Sequence, residues 1–416
     1  MTTKNSDSDP LARGVVVFHK WLVGAGGAER LAVEEYRYFS KCGVPTRLIA
    51  FDADPAALFA LEIEHVEVIP NEGTLDGVLR LRRRLRELNP ALIISAGGLR
   101  DLFLATLFLN IPYIIHQHEA PFKMLLMDQL HLVRLLRWNV LNKLRNLAYG
   151  YRVIPVSPIG RSPIGKVKDE ILSLIDAVVW RRALILTLLS NRAVKEMELL
   201  YGKKAVALYG CVSEEMLSHK ADRAIAATFG LQGKKIVLSI SRLGAMKRLD
   251  VAIEAFARVA ADRDDLVLVL GGRGPSGPAL QQLAERLGVS EKVHFIGFVP
   301  EREICVYMAI GDVFICLDWT DFDIAPYEAM AQGRRVVWTN EIETSEWLER
   351  SGAVFPVEPT VESAAEGLQR ALTAPEPSRP ALLQYLRQYT WNAYFERVRQ
   401  LAIEKLSGSP GYPNKL

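Results

Sequence analysis

Cysteine is scarce in this chain of 416 residues. Its four cysteines, Cys42, Cys211, Cys305 and Cys316, are scattered and form no Cys-x-x-Cys pair. Such spacing matches neither a tetrahedral zinc site nor the disulfide framework of a small secreted protein. We therefore expect a protein of a reducing, cytoplasmic compartment.

Long apolar runs are also missing. A membrane span needs about 20 consecutive apolar residues, whereas the longest candidates, Leu102–Ile115 and Ala183–Leu189, are short or interrupted by Asn110 and Pro112. The first residues are polar and partly acidic, unlike the basic start and apolar stretch of a secretory signal. The sequence predicts neither a span nor export.

A large excess of charge of either sign is absent. The chain has 51 Lys and Arg against 48 Asp and Glu, a net charge of +3, and half of its residues are hydrophobic. Disordered chains are poorer in apolar residues. At about 100–200 residues per domain, the length predicts two or three globular domains.

Short β-branched runs alternate with longer amphipathic stretches, as in parallel strands joined by helices. This pattern predicts an α/β protein with two Rossmann-like domains facing each other across a cleft, where open α/β sheets bind ligands. We place the domains at residues 1–212 and 213–390, followed by an amphipathic helix, Trp391–Leu406, that can pack on either. The predicted strands are Val15–His19, Thr46–Phe51, Val66–Ile69, Ala91–Ser95, Tyr113–His116, Arg152–Val156, Ala205–Leu208, Lys235–Ser239, Leu266–Leu270, Lys292–Phe295, Val313–Leu317 and Arg335–Trp338.

Three stretches that follow predicted strands carry candidate chemistry. The first, Gly24–Arg30, is glycine-rich and opens a helix, where free N–H groups attract phosphate. A plain strand-to-helix turn explains it equally well. It lacks the third glycine of the dinucleotide fingerprint, so a nicotinamide cofactor is disfavoured.

The second stretch, Ser241–Arg248, places Arg242 and Lys247 after a strand, where the two side chains can clamp a diphosphate. A solvated basic loop is the alternative. The third, Asp321–Gly333, places Glu328 at the start of a helix, where its carboxylate can accept two sugar hydroxyls. The alternative is a carboxylate stabilised by the helix dipole, by about 0.3–1 kcal/mol.

In order and spacing, the three stretches resemble glycosyltransferase family 4, the retaining nucleotide-sugar glycosyltransferases of the GT-B fold. Val267–Pro275, Phe295–Gly297 and Gly311–Leu317 also agree with the family pattern. The resemblance covers nearly the whole chain and is strongest from Ile236 to Val337. It implies an acceptor-side first domain and a second domain that binds the nucleotide sugar.

Site residues follow from this resemblance position by position. Arg242 and Lys247 match the pair that neutralises the donor diphosphate as the nucleotide leaves, and Glu328 matches the glutamate that binds its ribose. His118 matches a residue near the transferred sugar, and the implied catalytic residues are therefore Arg242, Lys247 and His118. The implied donor-binding set adds Gly26, Gly27, Gly272, Asp321, Asp323 and Ile324.

Two stretches depart from the family pattern. The first glutamate of the E-x7-E motif falls at Thr320, and the usual Phe-Gly-Leu turn is Phe322-Asp323-Ile324, so that Asp321 or Asp323 is the carboxylate available to the donor sugar. The T-x-x-G-G-x-x-E loop spans Thr339 to Glu346 without either glycine. Backbone contacts from that loop are expected to differ.

No essential metal and no other cofactor is expected. Asp321-Phe322-Asp323 resembles the D-x-D metal motif of the other large glycosyltransferase fold, but Arg242 and Lys247 already supply positive charge for a diphosphate. The family uses front-face attack, in which the leaving phosphate accepts the acceptor's proton. No protein nucleophile is therefore required.

Basic residues mixed with many leucines predict contact with an anionic membrane. Residues 122–152 hold six basic residues, one acidic residue and Trp138, and Leu79–Leu88 adds five arginines. Interfacial helices have this composition, although a leucine core with a solvated basic face is the alternative. No aromatic stacking array accompanies these residues, so nucleic acid is not expected as a partner.

The sequence thus predicts a cytoplasmic, membrane-peripheral retaining hexosyltransferase, of mannosyl or glucosyl type, acting on a glycan or lipid-linked glycan precursor. The principal alternative is a non-catalytic binding or scaffold protein that has kept the fold and lost turnover. An epimerase or phosphorylase on the same architecture is a further enzymatic alternative.

Overall fold

The computed structural model describes residues 9–24, 26–71, 73–118, 175–210, 212–219, 226, 230–318, 320 and 322–408. These residues fall into two units: the described residues up to 209 and from 392 onward form the first, and those from 210 to 391 form the second. The predicted strand Arg152–Val156, Asp321 and the basic segment 122–152 lie outside the described residues. Within the described part, no helix has the length and apolar character needed to cross a membrane.

The first unit is built on a parallel sheet of seven strands in the order β5-β3-β1-β6-β7-β8-β9. The strands are β1 Val15–Phe18, β3 Thr46–Ala50, β5 Glu67–Val68, β6 Leu92–Ser95, β7 Tyr113–Gln117, β8 Ile185–Leu188 and β9 Val206–Ala207, and a separate pair joins β2 Trp21–Leu22 to β4 Asp52–Ala53. Residues 175–182 are helical. The remaining helices are Gly27–Lys41, Pro55–Ala60, Thr74–Leu88, Leu99–Thr106, Asn191–Tyr201 and Trp391–Ser407.

The second unit contains a parallel sheet of six strands in the order β12-β11-β10-β13-β14-β15. These strands are β10 Lys235–Ile240, β11 Leu266–Gly271, β12 Val293–Gly297, β13 Val313–Cys316, β14 Arg335–Thr339 and β15 Val354–Val357. The α-helices of this unit are Glu214–Ser218, Leu249–Val259, Gly277–Arg286, Glu301–Ile310, Ile324–Ala331, Glu346–Arg350, Val361–Thr373 and Arg379–Leu386.

The central strands are rich in buried apolar residues. In β6 and β11, every residue from Leu92 to Ile94 and from Leu266 to Leu270 is buried. A parallel sheet covered by helices on both faces produces such runs, because neither face of a strand meets water. Four described strands were not predicted from the sequence. Two are the short strands β2 and β4 of the separate pair. The others are β8, which lies within the apolar run considered as a membrane stretch, and β15, which contains Pro356 and lies at the sheet edge.

Helix Trp391–Ser407 packs on the first unit, which decides between the two positions left open by the sequence. Its Tyr394 hydroxyl lies 3.1 Å from Nδ1 of His116 on β7. His116 also contacts Glu35 Oε1 at 3.2 Å through Nε2 and Thr187 Oγ1 at 2.7 Å through Nδ1. All four side chains are buried, so His116 joins two strands and two helices inside the core.

Parallel pairing brings the loops after neighbouring strands to the same edge of each sheet. In the second unit, β10 lies between β11 and β13, so the loops after Ile240, Gly271 and Cys316 meet at one edge. In the first unit, β6 lies between β1 and β7, whose ends lead into His19 and His118. Open α/β sheets bind ligands at such carboxyl edges.

Candidate functional site

Lys247 is the centre of a charged cluster at the carboxyl edge of the second sheet. It ends a short 3-10 turn, Ala245–Lys247, after β10. Its Nζ lies 2.9 Å from Asp323 Oδ2 and forms a second ion pair with Asp318 Oδ2. The structure thus brings Lys247 together with Asp323, two residues that the sequence predicts at one donor site.

The electrostatics of this cluster follow from burial and proximity. Burial lowers the pKa of Lys247, but the charges of Asp323 and Asp318 outweigh it and the pKa is raised. Burial raises the pKa of Asp323, but the Lys247 charge outweighs it, so the pKa is lowered and Asp323 is the ionised partner. Burial and then the Asp323 charge raise the pKa of Asp318 well above its ordinary value.

Three potential metal ligands lie close together in this cluster. They are Cys316, Asp318 and Asp323, whose ligand atoms all lie within 4.8 Å of one another. No other such group is found among the described residues. Burial raises the pKa of the Cys316 thiol, which disfavours the thiolate that binds metals. The ammonium of Lys247 already contacts both carboxylates, so these residues fit a lysine better than a metal ion.

Arg242 lies earlier in the same loop and is exposed. Its guanidinium forms no ion pair or hydrogen bond with the residues that the structure describes, while its backbone carbonyl accepts from Gly244 N–H. An exposed guanidinium beside a strand end can donate two parallel hydrogen bonds to a ligand phosphate. Arg242 is therefore the cation of the predicted pair that is ready to bind an anion.

Gly272 contributes through its backbone. Its φ is +131°, and a Cβ at this position would lie 1.8 Å from the carbonyl oxygen of Ser241. Gly272 N–H donates to Gly297 O, while Leu243 N–H donates to Arg273 O at 3.0 Å. The loops after β10 and β11 thus touch through their backbones, and any side chain at Gly272 would push them apart.

Three more predicted donor residues, Asp323, Ile324 and Glu328, lie at or in helix Ile324–Ala331. Asp323 is its N-cap, with Oδ1 accepting from Ala325 N–H at 3.3 Å. Glu328 is buried one turn after the helix start, where the sequence places it at the start itself. The hydroxyl of Thr320, which replaces the motif glutamate, donates to the carbonyl oxygen of Phe322 at 3.0 Å.

A buried ion pair next to Lys247 was not predicted from the sequence. The guanidinium of Arg248 contacts Glu341 through Nη1 at 2.5 Å and Nη2 at 3.2 Å, and donates to Leu317 O at 3.1 Å. Arg248 is 4% exposed and Glu341 2%. Glu341 belongs to the loop Thr339–Glu346, which lacks both glycines of the family pattern. This departure was the one sign in the sequence that the loop makes different contacts.

The loop at Gly26 and Gly27 begins helix Gly27–Lys41 in the first unit. Gly26 is the N-cap, and a Cβ there would lie 2.7 Å from Glu29 Oε2. No other atom lies within 4 Å of a Cβ built on Gly27. A Cβ at Gly26 would therefore require the flexible Glu29 side chain to shift, whereas one at Gly27 would meet no such atom.

His118 follows β7 in the first unit and is partly buried. Burial, followed by the nearby His116 and His19, lowers the pKa of His118 to about 3. Burial also lowers the pKa of His19, which is 7% exposed. Both imidazoles are therefore neutral at pH 7 and can hydrogen-bond a hydroxyl group as donor or acceptor.

The low pKa of His118 predicts a specific acid sensitivity. Below pH 6.5 the unfolded chain binds a proton at His118 that the folded chain excludes. As the pH decreases, His118 therefore lowers the free energy of unfolding of the wild type by about 1.4 kcal/mol per pH unit. We expect His118→Asn to lose less stability than wild type between pH 6.5 and 4.5, by about 2–3 kcal/mol. Urea unfolding at each pH measures this difference. The exposed His65 provides the control His65→Asn, and parallel curves for wild type and His118→Asn would contradict the assignment.

A cavity of about 500 Å³ opens on the second unit, next to the loop after β10. Its wall includes Gly244, Arg248 and Leu249, together with Leu280 of helix Gly277–Arg286. Arg242, Lys247 and Glu328 are not among its lining residues. The cavity is therefore a neighbour of the predicted donor residues.

Comparison with known proteins finds a family match within the second unit. Residues 222–389 match the model of the family described as Glycosyl transferases group 1. The matched segment lies within the second unit. Arg242, Lys247, Gly272, Asp323 and Glu328 all lie within this segment.

The curated relatives of this chain are distant. The alpha-monoglucosyldiacylglycerol synthase of Streptococcus pneumoniae is 24% identical over 191 residues, which are 44% of this chain and 42% of that protein. Across three such relatives, the match spans between 35% and 57% of the relative's own length. The chain therefore aligns with only part of each.

Solved structures show the fold of the whole chain. A glycosyltransferase of Rickettsia africae aligns with a TM-score of 0.67 at 15% identity, covering 95% of this chain and 99% of that one. Anabaena HepE in complex with UDP-glucose aligns with a TM-score of 0.65 at 17% identity, covering 95% and 100%. The chain has the GT-B fold, with two parallel α/β units.

Proposed function

We propose that this protein is a retaining glycosyltransferase that moves a hexose, of glucose or mannose type, from a nucleotide diphosphate sugar to a glycan or lipid-linked glycan precursor. The observation that carries the proposal is the position of Arg242 and Lys247. Both follow β10 at the carboxyl edge of the sheet, inside the segment that matches the group 1 family. Helix Ile324–Ala331 begins at the same edge.

The chemistry expected of these residues is electrostatic. As the bond between the sugar and the diphosphate breaks, negative charge grows on the leaving phosphate, and cations placed there lower the barrier. Arg242 and Lys247 supply this charge, while Glu328 holds the nucleotide ribose. The leaving phosphate accepts the proton of the acceptor hydroxyl, so the mechanism needs neither a protein nucleophile nor a metal ion.

The first unit is assigned to the acceptor. His118 is neutral at pH 7 and follows a strand at the carboxyl edge, where a neutral imidazole can hydrogen-bond a sugar hydroxyl. Gly26 and Gly27 leave a helix start open beside β1. A lipid-linked acceptor agrees with the name of the diacylglycerol-glycosylating relative.

We also propose that the protein works at the cytoplasmic surface of an anionic membrane. On helix Thr74–Leu88, the exposed side chains of Leu75, Leu79, Arg83 and Arg86 share one face, since their spacing follows the helix period. Leu75 is 73% exposed and Leu79 63%. Paired leucines and arginines are typical of helices that lie in a lipid headgroup layer.

Membrane binding is expected to weaken when this face loses its arginines. Each arginine near an anionic surface contributes about 1 kcal/mol, so Arg83→Ala/Arg86→Ala should reduce vesicle binding about 30-fold. Co-sedimentation with phosphatidylglycerol-containing vesicles at low salt measures the change. Leu79→Glu should also weaken binding, whereas Leu287→Glu, at an exposed leucine of the second unit, should not. Equal binding by all variants would contradict this role of the helix.

Donor turnover tests the proposed function. Purified protein is incubated with UDP-, GDP- and ADP-sugars and lipid or glycan acceptors, with and without a chelator. Release of one nucleoside diphosphate together with an α-linked product, unchanged by the chelator, is the expected result. Nucleotide binding by calorimetry without turnover across the panel would instead favour the scaffold alternative.

A further inference from the structure

The ammonium of Lys247 is already paired with carboxylates in this structure. Its ammonium lies 2.9 Å from Asp323 Oδ2 and pairs with Asp318. The side chains of Lys247, Asp323 and Asp318 are 27%, 18% and 5% exposed. A phosphate that approaches Lys247 therefore meets a positive charge that carboxylates already compensate.

The same aspartate also occupies the start of the neighbouring helix. Oδ1 of Asp323 accepts from Ala325 N–H, while Oδ2 holds Lys247. Free N–H groups at helix starts attract phosphates for the same reason that they attract this carboxylate. A single side chain thus fills both features that would otherwise draw a phosphate to this edge.

The two carboxylates of the cluster differ in a way that identifies the mobile one. Asp318 is the more buried, and its raised pKa makes it the less ionised of the two. Asp323 is the more exposed and carries the negative charge. Rotation of Asp323 alone would leave Lys247 held by Asp318 and release the helix start.

We propose that Asp323 is an internal competitor of the donor diphosphate and sets the affinity of this site for nucleotides. The proposal rests on the proposed function, because it takes a diphosphate as the ligand of Lys247. When the diphosphate binds, it replaces the Asp323 carboxylate on Lys247 and at the N–H group of Ala325. Donor affinity is accordingly lower than Lys247 would give alone.

The competing role for Asp323 is to orient Lys247 for catalysis. The two roles predict opposite results when the charge is removed. A competitor, once neutral, leaves the diphosphate bound more tightly and lowers the donor KM. An orienting residue, once neutral, leaves Lys247 misplaced and lowers kcat with unchanged or weaker binding.

Asp323→Asn separates these roles, because asparagine keeps the helix cap and removes the charge. Asp54→Asn is the matched control: Asp54 caps helix Pro55–Ala60 by accepting from Ala56 N–H at 2.8 Å, and no ion pair with a lysine is found for it among the described residues. Asp323→Ser, with another capping residue, provides a second variant if the first folds poorly. Inorganic pyrophosphate, UDP and GDP are the probes, titrated by calorimetry.

The expected result is at least about tenfold tighter binding of pyrophosphate and of the preferred nucleoside diphosphate by Asp323→Asn. Asp54→Asn should bind as wild type does. Unchanged or weaker binding by both Asp323 variants would overturn the proposal, even if glycosyl transfer is observed. Tighter pyrophosphate binding without binding of any nucleotide would support the competitor role and count against the proposed function.

Discussion

Replacing Arg248 by methionine is expected to lower the unfolding free energy of the second unit by about 3–5 kcal/mol. The substitution leaves the Glu341 carboxylate buried at 2% exposure without the guanidinium that contacts it twice. It also removes the donor to Leu317 O. Urea unfolding of the full chain, followed by tryptophan fluorescence, measures the loss.

Two further variants distinguish a lost charge pair from lost packing. Arg248→Met/Glu341→Leu removes both charges and should recover most of the stability, because no unpaired buried charge remains. Arg258→Met breaks an exposed ion pair with Glu362 and should leave stability unchanged. If the double variant were as unstable as Arg248→Met, the charge pair would not explain the effect.

Replacing Arg242 by alanine is expected to reduce kcat for glycosyl transfer by about 10²–10³-fold. Arg242 is exposed and forms no ion pair with the described residues, so its removal should not disturb folding. Lys247→Ala is a poorer test, since it leaves Asp318 and Asp323 facing each other without their shared cation. Initial rates with the donor identified by the panel measure the change.

Matched variants define what the Arg242 result means. Arg242→Lys keeps the charge but loses the planar fork, so activity should be only partly retained. Arg258→Ala should be fully active, because Arg258 lies in the last turn of helix Leu249–Val259, away from the loop after β10. Full activity of Arg242→Ala would remove Arg242 from the mechanism and weaken the case for a diphosphate at this edge.

Much of the fold is predictable because its signals are local. Buried parallel strands are typically continuous apolar runs, and Leu266–Leu270 and Val313–Leu317 show this in the bare sequence. Strand β8 shows the limit of the same signal, since an apolar run alone does not distinguish a strand from a membrane segment. The short edge strand β15 was missed because Pro356 is untypical of strands.

The pairings within the candidate site could not be predicted from the residues that the sequence assigns to it. The motif spacing placed Lys247, Asp323 and Glu328 together, but no local pattern shows that Asp318 and Asp323 both hold Lys247. Arg248 and Glu341 are 93 residues apart in sequence, and their contact exists only after β10 and β14 enter one sheet. Long-range ion pairs depend on the order of strands in the sheet, and no local sequence pattern predicts that order.

The order of synthesis gives the discontinuous first unit an unusual property. Among the described residues, the second unit is the continuous stretch 210–391, and it separates the two parts of the first unit, whose second part starts at residue 392. As the ribosome proceeds from the N-terminus, the later unit is complete before the earlier one. Until Tyr394 emerges, His116 lacks one of its core partners, so the first domain to begin is the last to finish.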